Sequence, residues 1–431
     1  MSVDLHDPAS AAYKKAKRQY LNSTRNKKNT AELDWTPFRA AEKRFKARFP
    51  PPNLSDVLDL ALLDDTRTLE IQAGVWKGSS SAVDYRELSP KASSSNIKAY
   101  TTPRIPGLVL LPGFLAPQKQ RELVQWSLAD HARHPNETNL DIHYVLPEDG
   151  LWNVCERARD DPTEDICVQP RASTSELPPS DAAPGPRQLV NNTPATPDNF
   201  LALSATPKPP STPSTTVQPT PASALLRKLR WANIGWYYHW GTKQYDFTKG
   251  KGKIDDVLVD VCQNAVNAVD WDQVYGPTDT SDWGESGPAW KTWSEDYEPD
   301  AGIVNFYQTK DTLMAHVDRS EVCATSPLVS ISLGNAAVFL IGGLTRDTEP
   351  IPIILRSGDV VIMSGPACRR AYHGVPRILE NTLPDHLAAQ PDEPQWAPFA
   401  EYMDTTRINI NVRQVFPKGF DPVLVVEDSN L

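Results

Sequence analysis

From Ile303 to Arg413 the chain is a series of short apolar runs, and two of them alternate with polar residues at every second position. Ile303-Val304-Asn305-Phe306-Tyr307 is one. Side chains at i and i+2 leave a strand on the same face, so this pattern predicts a half-buried strand. Arg407-Ile408-Asn409-Ile410-Asn411-Val412-Arg413 is the other, with arginine and asparagine on one face and aliphatic residues on the other. Pro327 to Leu333 (PLVSISL), Ala336 to Ile341 (AAVFLI) and Val360 to Met363 are rich in β-branched and apolar residues and read as more deeply buried strands. Arg356-Ser357-Gly358-Asp359 reads as a turn, and Tyr372 to Val375 as a further extended run. Short strands separated by Gly, Pro and Asp turns predict a sandwich or jelly roll.

Helical spacing appears earlier. Thr36 to Phe49 (TPFRAAEKRFKARF) predicts a helix capped by Thr36, with Pro37 in the first turn and Phe38, Phe45 and Phe49 as anchors. Pro50-Pro51-Pro52 ends it, and a short apolar stretch follows from Leu54 to Leu63. Gly107 to Leu111 predicts a strand, and Pro117 to His131 a helix with Leu123, Val124, Trp126 and Leu128 on its apolar side. Asp255 to Val269 predicts another, burying Val257, Leu258, Val261, Ala265 and Val269. Trp271 to Pro299 reads as an acidic loop, and Glu380 to Pro398 as a proline-containing one. The class is therefore mainly β with flanking helices.

Composition narrows the partners. The 431 residues carry a formal net charge of −10, and the pI is about 5.4. A broad basic coat is absent, which argues against strong nonspecific DNA binding and leaves nucleic-acid contact to a local patch or a protein partner. Forty prolines are about twice ordinary use. Many lie between Asp160 and Ser223, where Pro, Ser, Thr and Ala bury too little to offset ordering, so this segment is expected to be disordered. The five cysteines, Cys155, Cys167, Cys262, Cys323 and Cys368, show no CxxC pair, which excludes a zinc-finger or disulfide framework and fits a reducing compartment. No apolar stretch has the length of a membrane span, and no secretory signal precedes the fold. Lys14-Lys15-x-Lys17-Arg18 and Arg25-x-Lys27-Lys28 form either a bipartite nuclear import signal or a basic helix or arm for RNA. Asp4 and Asp7 count against a mitochondrial presequence. The expected location is nucleus or cytoplasm, with the mitochondrion left open, and the expected state is a monomer.

The chemistry lies in the strand region. His316-Val317-Asp318 places an imidazole and a carboxylate on one strand face, and His373 from a distant strand completes two histidines and one carboxylate. Such a set binds iron(II) on one triangular face and leaves positions open for cosubstrate and oxygen. Read alone, His-x-Asp is also a common core or surface pair. The arginine strand offers a cation to an acidic cosubstrate, or else forms surface salt bridges. Together these features point to an iron- and 2-oxoglutarate-dependent oxygenase.

Five stretches occur in one family's order: His316-Val317-Asp318-Arg319-Ser320-Glu321; Ser332-Leu333-Gly334 into Phe339-Leu340-Ile341-Gly342-Gly343; Leu355-Arg356-Ser357-Gly358-Asp359; Tyr372-His373-Gly374-Val375-Pro376-Arg377; and Arg407-x-Asn409-x-Asn411-x-Arg413. From Ile105 to Phe416, apart from one insertion, the chain resembles the AlkB family, most of all the eukaryotic AlkB homologue one branch. The resemblance implies a double-stranded β-helix (jelly roll) with Fe(II), 2-oxoglutarate and O2. It makes His316, Asp318 and His373 the metal ligands. It assigns 2-oxoglutarate to Arg407, Asn305, Tyr307, Asn409 and Arg413. Leu229 to Trp240 resembles a nucleotide-recognition lid, in which Trp231, Trp236 and Tyr238 would meet a base, with Ser320 and Glu321 nearby. The same aromatics also suit a strand that fills the core. Ser320 stands where the bacterial relative has an aspartate that helps read the base, so that relative's substrate details do not carry over. Lys243, Lys249, Lys251 and Lys253 read equally as phosphate contacts or a solvated hairpin.

The implied organisation is a basic mobile arm and helical extension over 1–104, packed on the back of the catalytic domain, whose start is 105–159. The insertion follows at 160–223, the lid and a helix at 224–299, the jelly-roll core at 300–420 and a tail at 421–431. The implied activity is oxidative demethylation of N-methylated bases in RNA or DNA, releasing formaldehyde, succinate and CO2. N1-methyladenine in tRNA ranks first and N6-methyladenine in DNA second. The alternatives are the same chemistry on methylated protein side chains, or a noncatalytic binding scaffold. Strand cleavage at abasic sites by a lysine amine is another activity of the family, but no lysine is singled out for it.

Overall fold

The structure, a computed structural model, describes residues 5–24, 35–67, 70, 71, 74–89, 97–172, 193–208, 212–276, 283 and 290–422. Two sheets face each other. The larger has eight strands in the order Arg86–Leu88, Ala99–Thr101, Leu108–Leu111, Val360–Met363, Leu328–Gly334, Thr406–Arg413, Ala301–Gln308, Trp231–Gly235. The smaller has five in the order Leu58–Asp59, Ile351–Leu355, Ala337–Ile341, His373–Ile378, Leu313–His316. This is the expected jelly roll.

Period-two alternation decides what lies between the sheets. Ile408, Ile410 and Val412 are buried on the outer face of the larger sheet, while Arg407, Asn409, Asn411 and Arg413 line the cavity on its inner face. The neighbouring strand does the same, with Val304 and Phe306 outward and Ile303, Asn305 and Tyr307 inward. Helices cover the outer face. Pro117–Gln125 continues as a π-helical turn, Trp126–His131, and Asp256–Asn267 is capped by Asp255, which accepts the Val257 N–H at 3.0 Å.

Several expectations need correction. The acidic stretch from Trp271 is not a plain loop: it carries short helices at Trp271–Tyr275 and Trp293–Asp296. Its tryptophans enter the core, where Trp271 and Trp293 meet edge to face at 4.8 Å. The strand expected to carry His316 and Asp318 on one face is Leu313–His316, which ends at the histidine and leaves Asp318 beyond it, and Ile351–Leu355 was not expected as a strand. Pro352, which has no N–H, hides the second of these.

The helix expected over Thr36 to Phe49 runs only from Pro37 to Lys46, with the Thr36 hydroxyl accepting the Arg39 N–H at 3.3 Å. Phe49 lies beyond it and receives Tyr13 and Tyr20 from a helix over Ala11–Thr24. The basic cluster Lys14–Arg18 thus sits on a helix rather than a loose arm, and the Arg25–Lys28 cluster lies outside the described residues. The extension packs on the outer face of the smaller sheet, where Phe38, Phe45, Val57 and Trp76 meet Val338, Leu340 and Ile354. At that sheet's edge the Glu42 carboxylate accepts the Ala315 N–H at 2.7 Å.

The segment expected to be disordered is ordered in part. Cys167–Val168 pairs with Thr220–Pro221, and Phe200–Ser204 forms a helical turn. Phe200 packs edge-on against Phe416 at 5.5 Å, so this part of the segment does have apolar surface to bury. Residues 173–192 and 209–211 lie outside the described residues. Among the described residues no helix is long and apolar enough to cross a membrane.

One buried group makes the helical layer sensitive to acid. His131 stacks on Trp126, with its Nε2 2.9 Å from the Asn233 carbonyl. Burial pushes its pKa down to about 4. Between pH 6.5 and about 4 the unfolded chain therefore takes up the proton that the folded chain refuses. The stabilisation is fully present above pH 6.5 and is lost as pH falls through that window. The loss is on the order of 3 kcal/mol. Thermal unfolding of wild type and His131→Gln from pH 7 to 4 checks this: the variant's Tm should fall less steeply.

Candidate active site

Strand pairing brings the metal residues together. His316 stands opposite His373 across adjacent antiparallel strands, with ring centroids 4.4 Å apart. Gly374 permits that closeness. A Cβ there would lie 2.9 Å from the Leu313 carbonyl oxygen and 3.1 Å from the Ala315 nitrogen. Asp318 follows just past the strand end, with its Oδ1 3.7 Å from His316 Nε2. One ligand atom from each of the three lies within 4.8 Å of the others. Among the described residues no other group of three His, Cys, Asp or Glu is gathered in this way.

The protonation states suit a metal. His316 Nδ1 lies 3.0 Å from the Met314 carbonyl, and His373 Nδ1 lies 3.0 Å from the Ala371 carbonyl. A carbonyl only accepts, so each Nδ1 carries the proton and donates, and each Nε2 keeps its lone pair for a metal. Burial, helped by His316, pushes His373 down to about 4, which keeps it neutral. Burial alone would raise the Asp318 carboxyl, but the Arg413 guanidinium foremost outweighs it and holds it well below the usual carboxylate range. Two neutral imidazoles and one carboxylate fit iron(II).

The cosubstrate end is marked by Arg407. It is 1% exposed, and its Nη2 donates to Ser332 Oγ at 2.9 Å. Its Nε and Nη1 have no partner, and no carboxylate pairs with it among the described residues. Burial pushes it down to about 10, so it is still a cation at neutral pH. An unpaired buried charge is costly, and a bidentate carboxylate suits the two orphaned donors. Tyr307 lies opposite Arg407 in the register, and its hydroxyl is kept neutral by burial. Asn305 lines the same cavity, which encloses about 650 Å³ and reaches the metal residues.

The other expected residues divide. Asn409 lines the cavity but turns its amide nitrogen to Ser330 Oγ at 3.0 Å and the Ile331 carbonyl at 2.9 Å. Arg413, expected at the cosubstrate, lines the cavity and is engaged by Asp318 at 3.1 Å and by buried Glu321. Glu321, expected near the base, lines the cavity as a partner of that arginine. Tyr238 lines the cavity. Trp236 does not. It is buried against Phe247, edge-on at 5.4 Å. Trp231 is also absent from the lining and supports Trp240, stacked at 4.7 Å. Ser320 donates to the Lys243 carbonyl at 2.9 Å and so ties the metal loop to the Tyr238–Tyr245 hairpin.

The sequence places Trp240 in the lid stretch without naming it as a base contact, and leaves Asn411, Arg346 and Ser332 out of the site. Asn411 and Ser332 carried a signal, since both occupy inward positions of alternating strands. Trp240 and Arg346 reach the cavity from irregular segments, where no periodicity shows the direction of a side chain.

Comparison with known proteins agrees with this geometry. Residues 199–413 match the 2OG-Fe(II) oxygenase superfamily. The DNA N(6)-methyladenine demethylase ALKBH1A of Arabidopsis thaliana is 30% identical over 401 residues, which cover 89% of this chain and 97% of that protein. The chain belongs to the AlkB family of 2OG-Fe(II) oxygenases. The tRNA demethylase abh1 of Schizosaccharomyces pombe is 29% identical over 385 residues, 88% of this chain and 96% of that protein. The human nucleic acid dioxygenase ALKBH1 is 28% identical over 359 residues, 78% of this chain and 71% of that protein. This AlkB-family chain is therefore an oxygenase using Fe(II), 2-oxoglutarate and O2.

The buried cation sets a test. In Arg407→Gln, 2-oxoglutarate affinity should drop by about 100-fold or more, the scale of losing one partner of a buried charge pair. Calorimetric titration of the metal-loaded chain measures it. Equal affinity in variant and wild type would remove Arg407 from the cosubstrate site.

Proposed function

We propose that this oxygenase removes N-linked methyl groups from bases in nucleic acid, with N1-methyladenine in tRNA first and N6-methyladenine in DNA second. The observation that carries the reading is Trp240. It is 36% exposed, lines the cavity that holds the metal residues, rests on Trp231 and meets Tyr238 edge-on at 5.0 Å. A flat, partly exposed indole braced from behind is a stacking surface for an unpaired base. The names of the A. thaliana and S. pombe relatives support a methylated-base substrate, and between them they divide over the polymer.

With iron and 2-oxoglutarate bound, the site would activate O2, the oxidant: one oxygen atom would go to the N-methyl carbon and the other to succinate as 2-oxoglutarate loses CO2, and the hydroxymethyl group would leave as formaldehyde. The chain's own part is placement. Arg407 offers its free donors to the cosubstrate's distal carboxylate, beside Tyr307 and Asn305. Arg413, itself engaged by Glu321, holds the Asp318 carboxylate. Tyr238, pushed up to about 12 mainly by burial, stays protonated at the side of the cavity. A net charge of −10 gives little general attraction for phosphates, which favours an unpaired base in a structured RNA over long contact with duplex DNA. Methyl-lysine peptides remain the second reading, because the same cavity would admit a methylated ammonium to the aromatic rim.

The test is formaldehyde and succinate release with Fe(II), 2-oxoglutarate and ascorbate. Methylated tRNA, methylated DNA and methyl-lysine peptides would be offered in parallel, with His316→Ala as control. Release with a methylated nucleic acid, lost in the variant, is the expected result. Release with peptides alone would replace the proposed substrate class.

A further inference from the structure

After the Leu313–His316 strand the chain leaves the sheet, and residues 317–322 have no regular secondary structure. This stretch nevertheless contains the metal ligand Asp318 and the hairpin tether Ser320. Its backbone must be held from outside, because half-buried carbonyls without a ladder need other donors. Two of the donors come from unexpected places. Arg370 donates through Nη1 to the Asp318 carbonyl at 2.7 Å. The Ala195 N–H donates to the Arg319 carbonyl at 2.7 Å. Arg370 Nη2 also donates to the Ala195 carbonyl at 3.2 Å. One guanidinium therefore joins the metal loop to the returning end of the proline-rich insertion.

That returning end is anchored independently. Phe200 is 7% exposed and sits between Phe416 at 5.5 Å and Phe420 at 6.0 Å. Thr196 and Asn199 close the turn ahead of it, with the Thr196 N–H donating to Asn199 Oδ1 at 2.8 Å. This segment packs against the recognition hairpin, with Phe200 and Tyr245 in one apolar cluster, and a narrow cleft lined by Phe200, Tyr245, Lys243 and Ser320 opens where they meet. The insertion thus touches both structures that shape the substrate entrance: the Arg319-Ser320 backbone and the hairpin that carries Tyr238 and Trp240.

We propose that residues 193–204 are a strap that positions the substrate-recognition loop and hairpin, with Arg370 as the positioning residue that couples the strap to the metal loop. The strap acts on substrate fit and not on the oxidation itself, because its bond reaches the Arg319 backbone and that of Arg370 the Asp318 backbone, neither of them the carboxylate. The proposal rests on the methylated-base reading only for the choice of substrate. The strap's mechanical role is independent of it.

Phe200→Ala loosens the anchor and Ala195→Pro removes the donor to Arg319, and neither side chain faces the metal. Hydrogen–deuterium exchange on the full chain should rise in both variants over 238–245 and 317–322 and stay unchanged over 301–308. With whichever substrate the wild type turns over, KM should rise about tenfold while kcat holds within about twofold. Arg370→Ala should reproduce the exchange pattern, and Arg370→Lys, which keeps one donor, should recover part of it. Unchanged exchange over 317–322 in both Phe200→Ala and Ala195→Pro overturns the strap. So does an increase spread across the whole chain, which would mark a general loss of stability. If the wild type demethylates no nucleic acid, the proposed function fails, and the exchange experiment still decides the strap.

Discussion

A guanidinium sealed under the floor of the cavity, with two donors facing no acid, is the constraint on which the site depends. Folding has to tolerate that charge, and the structure shows how. Ser332 takes one donor, and the larger sheet presents polar atoms in a row along its inner face. The aliphatic half of the same strands, Ile408, Ile410, Val412, Val304 and Phe306, goes to the helical layer. Apolar burial on one face thus offsets an unpaired cation on the other, at the place where an acid is to bind. A cosubstrate carboxylate completes an ion pair that the protein leaves half made.

The metal end is arranged differently. His316 lies at the last residue of an edge strand, and edge strands have few ladder bonds to keep them in place. The neighbouring residue supplies the remedy. Ala315 donates its N–H to Glu42 at 2.7 Å, and its carbonyl accepts from Arg346 at 3.1 Å. The N-terminal helix is therefore part of what fixes the first ligand, although it lies 270 or so residues away in sequence. Asp318, beyond the strand, depends on Arg413 for its carboxylate and on Arg370 for its backbone. His316 and Asp318 are thus held by groups from different parts of the chain, and His373 by the nearby Ala371 carbonyl.

These dependences explain what the sequence disclosed. Strict alternation in Thr406–Arg413 and Ala301–Gln308 showed which residues face inward, while residue types suggested His316, Asp318 and His373 and the resemblance to the AlkB motifs joined them as a ligand set. Periodicity could not show that Arg413 turns to Asp318 and Glu321, because both arginines occupy equivalent strand positions and differ only in their neighbours. Nor could it separate Trp236 in the core from Trp240 at the mouth, since both lie in short aromatic runs outside long strands. The Arg356–Asp359 motif, part of the family pattern, has a structural use. Asp359 accepts the N–H groups of Arg356 at 2.7 Å and Gly113 at 2.9 Å, far from the triad's chemistry. Proline and serine content made the insertion look empty of structure, and one phenylalanine was enough to contradict that over part of its length.

The short ladder between Cys167–Val168 and Thr220–Pro221 gives the insertion a closed base. Once two ends are clamped, the entropy of the chain between them grows only with the logarithm of its length. The stretch from the ladder to Thr193 can therefore lengthen, shorten or change composition at small thermodynamic cost, while the ends stay where the catalytic fold needs them. Selection on that stretch is decoupled from selection on the oxygenase, and related chains are free to differ most in sequence at a point that lies only a few residues from a contact with the metal loop.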